Sequence, residues 1–531
     1  MRSRISKCFT RATSSYIKGN PYQTVEWTIN DLLVRACEEN DHKLMAAFQM
    51  FQTEFTFGEM SEKADQFGSA LLAMGLQPGD AVAVWTTGPN QPEWLVMKWA
   101  CARAGMKMVN INPMYTAREL EYALNKVDAR MLVCPRGIGP LDYEQVLKDM
   151  IPDLESKNKF NLNASNVPLL DKIVFYFNND GPVPFAIEWD DFGESSDSST
   201  LRKLKEVKVD PYSTANIQFT SGTTVNNCIS GCEYGRDNIT SESSFLNVLP
   251  LYHVFSFVAG SLVGTHMKIP SYYPAPGFSS AASILTAEDR KPSHLLGTPT
   301  MFVDMINDPL LKEHDISSLQ FAIVGGAPVT PSLVRRAESE LGIQMAVGYG
   351  MTENSCGTFL TPPDATEDIV CNTVGKPYPG VEAKIIDENE NTLSRNEVGE
   401  LVTKGYMVFQ GYVKDEAKTE ESDDGTLKIM GRSKDMIIRG GENIQPTEIE
   451  NFLTTHPKVK DAYVIGVPSA RLGEEVCAYI QLIDGETITD EEIKTFALTG
   501  LAKYKVPKYI KAANEFPMTV TGKTFPNSKM N

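Results

Sequence analysis

Short β-branched runs followed by segments of helical periodicity recur along this chain, and that alternation constrains the fold more tightly than any other feature. Ala81-Val82-Ala83-Val84-Trp85 precedes residues 91–104, whose apolar positions fall at helical spacing. Met131-Leu132-Val133-Cys134 and Lys172-Ile173-Val174-Phe175-Tyr176 read as further short strands. Phe321-Ala322-Ile323-Val324 ends at Gly325-Gly326 and leads into a helix over 331–341 that opens on Pro331. Strands separated by helices predict parallel sheets with both faces covered. The polar stretch 194–200 predicts a linker or surface loop, and no internal repeat of fixed period is evident.

A second unit begins near Gly431. It carries Ile437-Ile438, a loop over 439–446, a helix over 447–455, a strand over 461–467, an apolar run over 478–482 and a helix from Asp490. The expected architecture is α/β: a large N-terminal multi-sheet domain over 26–430 and a small α+β domain over 431–531.

At 531 residues and 42% hydrophobic the chain is globular and too long for one core. A net charge of -18 argues against nucleic acid as a partner. No apolar stretch approaches the roughly 20 residues of a membrane span. Nine cysteines form no CxxC pair and six histidines no HExxH, which fits a reducing compartment without a metal-ligand cluster. The first 25 residues differ from the rest. Arg2, Arg4, Lys7, Arg11 and Lys18 are interleaved with hydroxyl residues, and no acid precedes Glu26. That composition predicts a mitochondrial transit peptide over 1–25 and residence in the matrix.

Three strings carry chemistry. In Phe219-Thr220-Ser221-Gly222-Thr223-Thr224, backbone N–H groups and hydroxyls can wrap phosphate oxygens, with Gly222 allowing close approach. Gly348-Tyr349-Gly350-Met351-Thr352-Glu353 ends in a hydroxyl and a hard oxygen ligand of the kind Mg²⁺ accepts beside nucleotide phosphates. Thr521-Gly522-Lys523 can bring a point charge to a phosphate when a mobile piece closes.

In this order and spacing the strings resemble the adenylate-forming superfamily of acyl-CoA synthetases, luciferases and adenylation domains. Asn112-Pro113-Met114-Tyr115, Pro250-Leu251-Tyr252-His253-Val254-Phe255, Gly325-Gly326-Ala327-Pro328, Gly411-Tyr412, Gly431-Arg432-Ser433-Lys434-Asp435 and Arg439-Gly440-Gly441-Glu442-Asn443-Ile444 look like family motifs. The texture is most similar to the mitochondrial medium-chain acyl-CoA synthetases of animals. The resemblance implies that ATP and an acid give acyl-AMP, and that CoA then displaces AMP. It also implies the two-domain plan, with the smaller domain a mobile lid turning about Lys434.

Residue by residue, the resemblance implies that Thr220, Ser221, Gly222, Thr223 and Thr224 cradle the β- and γ-phosphates, and that Thr223 and Glu353 serve Mg²⁺. Thr352 belongs to the same catalytic motif. Gly325, Gly326 and Ala327 form the adenine wall, and Tyr349 beside Gly350 stacks on the base. His253 gates the carboxylate pocket, Arg432 meets the ribose hydroxyls and Lys523 stabilises charge on the acyl phosphate. Arg439, Gly440, Gly441 and Glu442 form the lid loop of the pantetheine tunnel. An acid:CoA ligase for medium-chain acids is the expectation, with an aryl acid as alternative substrate.

Two departures bear on activity. After Thr224 the family continues Gly-x-Pro-Lys-Gly, whereas this chain reads Val225-Asn226-Asn227-Cys228-Ile229-Ser230-Gly231, and Arg236 is the only Lys or Arg between Lys208 and Lys268. The Thr-Gly-Asp string expected upstream of Arg432 is missing, since Glu420-Glu421-Ser422-Asp423-Asp424-Gly425 runs straight into Thr426-Leu427-Lys428-Ile429. These departures point to an impaired enzyme, or to a pseudoenzyme or binding module of the same fold.

Overall fold

A computed structural model describes residues 14–86, 90–138, 141–176, 181–217, 224–235, 238–327, 329, 331–362, 364–387, 389–397, 399–414, 419–421, 427–429, 436–483 and 485–513. The Ala81–Trp85 strand is buried at all five positions, as a strand covered on both faces should be. It lies inside a six-stranded parallel sheet ordered Ile187–Glu188, Lys172–Tyr176, Ala129–Pro135, Ala81–Trp85, Lys107–Ile111, Asn216–Ile217. The helix after Ala81–Trp85 begins with Pro92 and stops at Gly105, whose φ of +70° closes the helix in the left-handed conformation.

A nine-stranded sheet packs beside it. Its parallel centre runs Gln344–Met351, Phe321–Val324, His294–Gly297, Phe245–Asn247, Ser271–Tyr273, Leu44–Phe48. Antiparallel strands close both edges, with Cys356–Leu360 folding back on Gln344–Met351 at one of them. The smaller domain is a five-stranded sheet in which Gly473–Leu482 pairs with Ile437–Arg439, Val459–Ser469 and Tyr509–Ala512. Helices Pro446–Leu453 and Asp490–Leu498 cover it over a core that includes Ile437, Ile449, Leu453, Val464, Val476 and Ile493. No helix among the described residues is long and apolar enough to cross a membrane.

Two expectations change in detail, and the segment 14–25 finds partners in the large domain. The expected linker over 194–200 shrinks to residues 195–197 between the helices Trp189–Glu194 and Ser198–Glu206, because Asp197 accepts the Thr200 N–H at 2.7 Å and caps the second. The helix over 331–341 is α-helical over Pro331–Arg336 and widens into a π-turn over Ala337–Leu341. Residues 14–25, expected as the end of a leader, are built into the domain. Ile17–Lys18 pairs with the Glu382–Ile386 strand, and Tyr22 and Val25 both bond the Asn226 carboxamide.

One buried group departs from the apolar reading of residues 91–104. Lys98 is fully enclosed, with Nζ donating to Ser261 Oγ at 2.6 Å and lying 4.4 Å and 4.6 Å from the ring centres of Trp99 and Phe257. Burial pulls its pKa well below the usual lysine range. The unfolded chain therefore holds a proton that the folded chain lacks, and the folded state loses ground as pH falls below the unfolded lysine pKa. Relative to Lys98→Met, the native protein should lose stability at up to about 1.4 kcal/mol per pH unit below pH ~10. Denaturant unfolding of both proteins across pH 7–10 checks this, and a pH-independent difference would show a buried ammonium.

Candidate active site

The Gln344–Met351 and Cys356–Leu360 strands meet at a tight connection holding Thr352 and Glu353. Gly350 lies directly under the Cys356 carbonyl, where any Cβ would collide with it. Ser355 and Cys356 take φ of +55° and +111°, unusual for residues with side chains. The connection is pinned on several sides. Phe409 N–H donates to the Glu353 carbonyl at 2.8 Å, and Ser355 Oγ donates to the Met407 carbonyl at 2.7 Å. The Asn227 carboxamide accepts from Gly357 N at 3.2 Å and donates to Gly357 O at 2.7 Å. Glu353 is 7% exposed. Its Oε1 accepts from the Tyr412 hydroxyl at 2.9 Å, whereas Oε2 is buried with no hydrogen-bond partner among the described residues. An anionic oxygen so presented fits a divalent cation, the role expected of Glu353.

The residues expected to form the adenine wall cluster where one strand ends. Phe321–Val324 ends at Gly325, where a Cβ would press on the Gly348 carbonyl at 2.8 Å. Gly326 takes φ of +81°, and Ala327 continues the turn. The Phe255 ring packs beside Gly325, so the aromatic motif after Pro250 touches this wall. Tyr349 meets Phe359 edge-on at 6.0 Å between ring centres.

His253 begins the turn into a π-helix over Ser256–Leu262, a local widening common at functional sites. Its Nδ1 accepts the Phe255 N–H at 3.2 Å. Desolvation pushes the imidazole down to about 4, so near pH 7 it is neutral and its proton sits on Nε2. His253 can therefore donate one hydrogen bond from Nε2 but supplies no positive charge.

The lid contributes a hairpin. Ile437–Arg439 and Glu442–Ile444 are joined through Gly440 and Gly441, whose φ of +61° and +92° suit a two-residue turn. A Cβ on Gly441 would meet the Thr298 methyl at 3.4 Å, and one on Gly326 the same methyl at 3.8 Å, so lid loop and adenine wall converge on Thr298. Glu442 accepts from the Tyr252 hydroxyl at 2.7 Å and from Asn112 Nδ2 at 3.4 Å. Desolvation raises the Glu442 pKa. Three separate sequence motifs thus meet at one carboxylate.

Thr220, Ser221, Gly222, Thr223, Arg432, Lys434 and Lys523 lie outside the described residues. Thr224, the last residue of the phosphate string, begins the helix Thr224–Tyr234. Sequence reading missed Asn227 and the Thr298 hydroxyl, which is buried and without a partner among the described residues. Their only local signals are a carboxamide just past the phosphate string and a threonine ahead of Pro299.

Strand-end glycines, a buried carboxylate and a hairpin of the smaller domain are thus brought together at one place. Residues 34–413 match the AMP-binding enzyme family and residues 448–523 the AMP-binding enzyme C-terminal domain. The mitochondrial medium-chain acyl-CoA ligase ACSF2 of Danio rerio is 35% identical over 552 residues, covering 96% of this chain and 89% of the relative. The Homo sapiens ACSF2 is 36% identical over 508 residues, with 88% and 81% covered. In fold, a double mutant of o-succinylbenzoate CoA synthetase (MenE) from Bacillus subtilis superposes with a TM-score of 0.72 at 19% identity, over 95% of this chain and 98% of that one. The chain belongs to the AMP-binding, adenylate-forming enzyme family, among its acyl- and aryl-CoA ligases.

Two outcomes follow from this geometry. Asn227→Ala strips both backbone groups of Gly357 of their partner and should lower unfolding free energy by about 2–3 kcal/mol in denaturant melts. The His253 ring C–H resonance should titrate with a midpoint near 4. Its depressed pKa should also withdraw stability as pH falls from about 6.5 toward 4, because the unfolded imidazole takes up the proton first. A midpoint near 6.5 would place the ring in solvent.

Proposed function

We propose that this chain is an ATP-dependent fatty acid:CoA ligase that converts a medium-chain acid through acyl-AMP to acyl-CoA in the mitochondrial matrix, with Mg²⁺ as cofactor and CoA as co-substrate. The observation that carries this reading is the buried Glu353 carboxylate with one oxygen unengaged. In the first step an acid oxygen bonds to the α-phosphorus and the bond to pyrophosphate breaks, its electron pair leaving with pyrophosphate. In the second the CoA thiolate bonds to the acyl carbon, and AMP departs with the electrons of the broken C–O bond. The first step joins two anions, so positive charge and in-line positioning dominate its barrier. Mg²⁺, when bound, neutralises polyphosphate charge. Glu353 and Thr223 are the residues that would hold it, with Thr352 beside them. Thr220, Ser221, Gly222 and Thr224 cradle the phosphates, Gly325, Gly326, Ala327, Tyr349 and Gly350 receive the base, and Arg432 meets the ribose. Neutral His253 orients the acid through Nε2–H, Lys523 answers the charge on the acyl phosphate, and Gly440 and Gly441 line the thiol's approach after rotation about Lys434.

Adenylation is slow in this reading. The Thr224–Tyr234 helix bears no cation, and its Asn226 and Asn227 are engaged by Val25 and Gly357 rather than turned to a phosphate. That observation also supports the second reading, a pseudoenzyme that binds without turnover. Acid-dependent pyrophosphate release over a panel of straight-chain and aryl acids tests both. A medium-chain acid should be preferred, and Glu353→Gln or Lys523→Ala should each lower turnover by about 10²-fold or more. Preference for benzoate would shift the substrate to aryl acids. No turnover, together with no rise in melting temperature on adding ATP, would leave only the binding module. For location, the basic leader over 1–25 directs import: a fluorescent fusion lacking residues 1–25 should remain outside mitochondria.

A further inference from the structure

The lid sits on the large domain through one buried ionic cluster. Lys505, in the short Lys503–Lys505 turn of the lid, extends Nζ to Glu119 Oε1 at 2.6 Å and to Glu448 Oε1 at 2.8 Å. Glu448 belongs to the lid helix Pro446–Leu453, whereas Glu119 lies across the interface on the helix Ala117–Lys126. Lys505 and Glu119 side chains are only 7% and 9% exposed, and the Tyr115 ring centre lies 5.5 Å from Nζ. Glu442, partly buried, has its pKa raised by desolvation and held down in part by the same ammonium. One ammonium therefore bridges two carboxylates across this interface, where Arg118 also lies 5.4 Å from the Phe452 ring. At the far edge Arg471 pairs with Asp304 at 2.9 Å, more exposed at 66% and 22%.

We infer that Lys505 and Glu119 are positioning residues that select this lid orientation, in which the Gly440-Gly441 hairpin faces the site, and so serve the thioester-forming step rather than adenylation. The inference rests on the proposed ligase reading. Glu119 is well suited to the role because its other oxygen is occupied: Oε2 accepts from Thr116 N and Oγ1, both at 2.9 Å, in the capping box of its own helix. Its remaining oxygen is thus held rigidly toward the lid. A buried ion pair adds little net stability because desolvation offsets attraction, but losing one partner strands the other charge and disfavours the docked state strongly. Such a pair sets register without trapping a lid that must leave.

Glu119→Gln tests this directly. Its one carboxamide oxygen can keep the helix cap while the NH₂ meets Lys505 donor to donor. Hydrogen exchange of the intact variant should quicken in residues 437–444 and around Tyr115, at unchanged melting temperature. CoA thioester formation from supplied acyl-adenylate should fall at least tenfold, while acid-dependent pyrophosphate release stays at the native value. Lys505→Met should match it, and Lys505→Arg should recover part of the loss. Unchanged exchange in the hairpin overturns the inference whatever the kinetics, and equal loss in both half-reactions overturns its assignment to one step. If the native chain turns nothing over, the ligase reading fails on its own, and the exchange measurement still decides whether this pair docks the lid.

Discussion

The Asn227 carboxamide, paired with both backbone groups of Gly357, is the interaction on which the site rests. It joins the helix that leaves the phosphate string to the connection that presents Glu353, 130 residues away. Without such pins the φ values of Ser355 and Cys356, each a departure worth about 1–3 kcal/mol, would relax and turn Glu353 aside. The Met407 and Glu353 carbonyls take part from the other side, through Ser355 Oγ and Phe409 N. Strain held from several directions is what leaves one carboxylate oxygen buried and unengaged.

The same helix explains how rigid the surroundings are. Asn226 ties Tyr22 and Val25, Ser230 Oγ donates to the Pro379 carbonyl at 3.0 Å, and Tyr234 reaches the Leu360 carbonyl at 3.1 Å. Four polar side chains, Asn226, Asn227, Ser230 and Tyr234, thus bind this helix to the N-terminal segment, to the strand beyond Glu353 and to Pro379. A helix so engaged cannot turn a carboxamide toward a phosphate without stranding buried backbone groups. Asn226 and Asn227 therefore have a structural role in this fold.

Much of the fold was legible in the sequence because local periodicity and punctuation agree with it. The Lys172–Tyr176 and Phe321–Val324 strands, Pro92 and Pro331 at helix starts and Gly105 at a helix end all follow from residue type and spacing. The turns at Gly326 and at Gly440-Gly441 were legible for the same reason, since glycine adopts such positive φ values at least cost. What stayed hidden depends on partners distant in sequence. Asn227 reads as an interrupted motif until Gly357 is beside it, Lys98 sits unremarked in an apolar helix, and Glu119 looks like nothing more than a capping residue. The stretch 194–200 misled because Asp197 is as common in loops as at helix starts.

The two interfaces of the site differ in kind, and the difference suits a two-step enzyme. The phosphate-side helix is fixed by neutral carboxamide and hydroxyl bonds to backbone, which nothing replaces if they break in a buried place. The lid is fixed by Lys505, Glu442 and Arg471, all groups that water solvates well once the lid departs. Undocking exchanges ion pairs for hydration, so its free energy is a small difference between large opposing contributions. A lid held instead by an apolar face of the same extent would resist opening by the full transfer free energy of that surface, at about 25 cal/mol per Å². In the proposed two-step reading, charge at the lid interface and carboxamides at the phosphate-side helix would let one fold keep Glu353 in place while the lid turns.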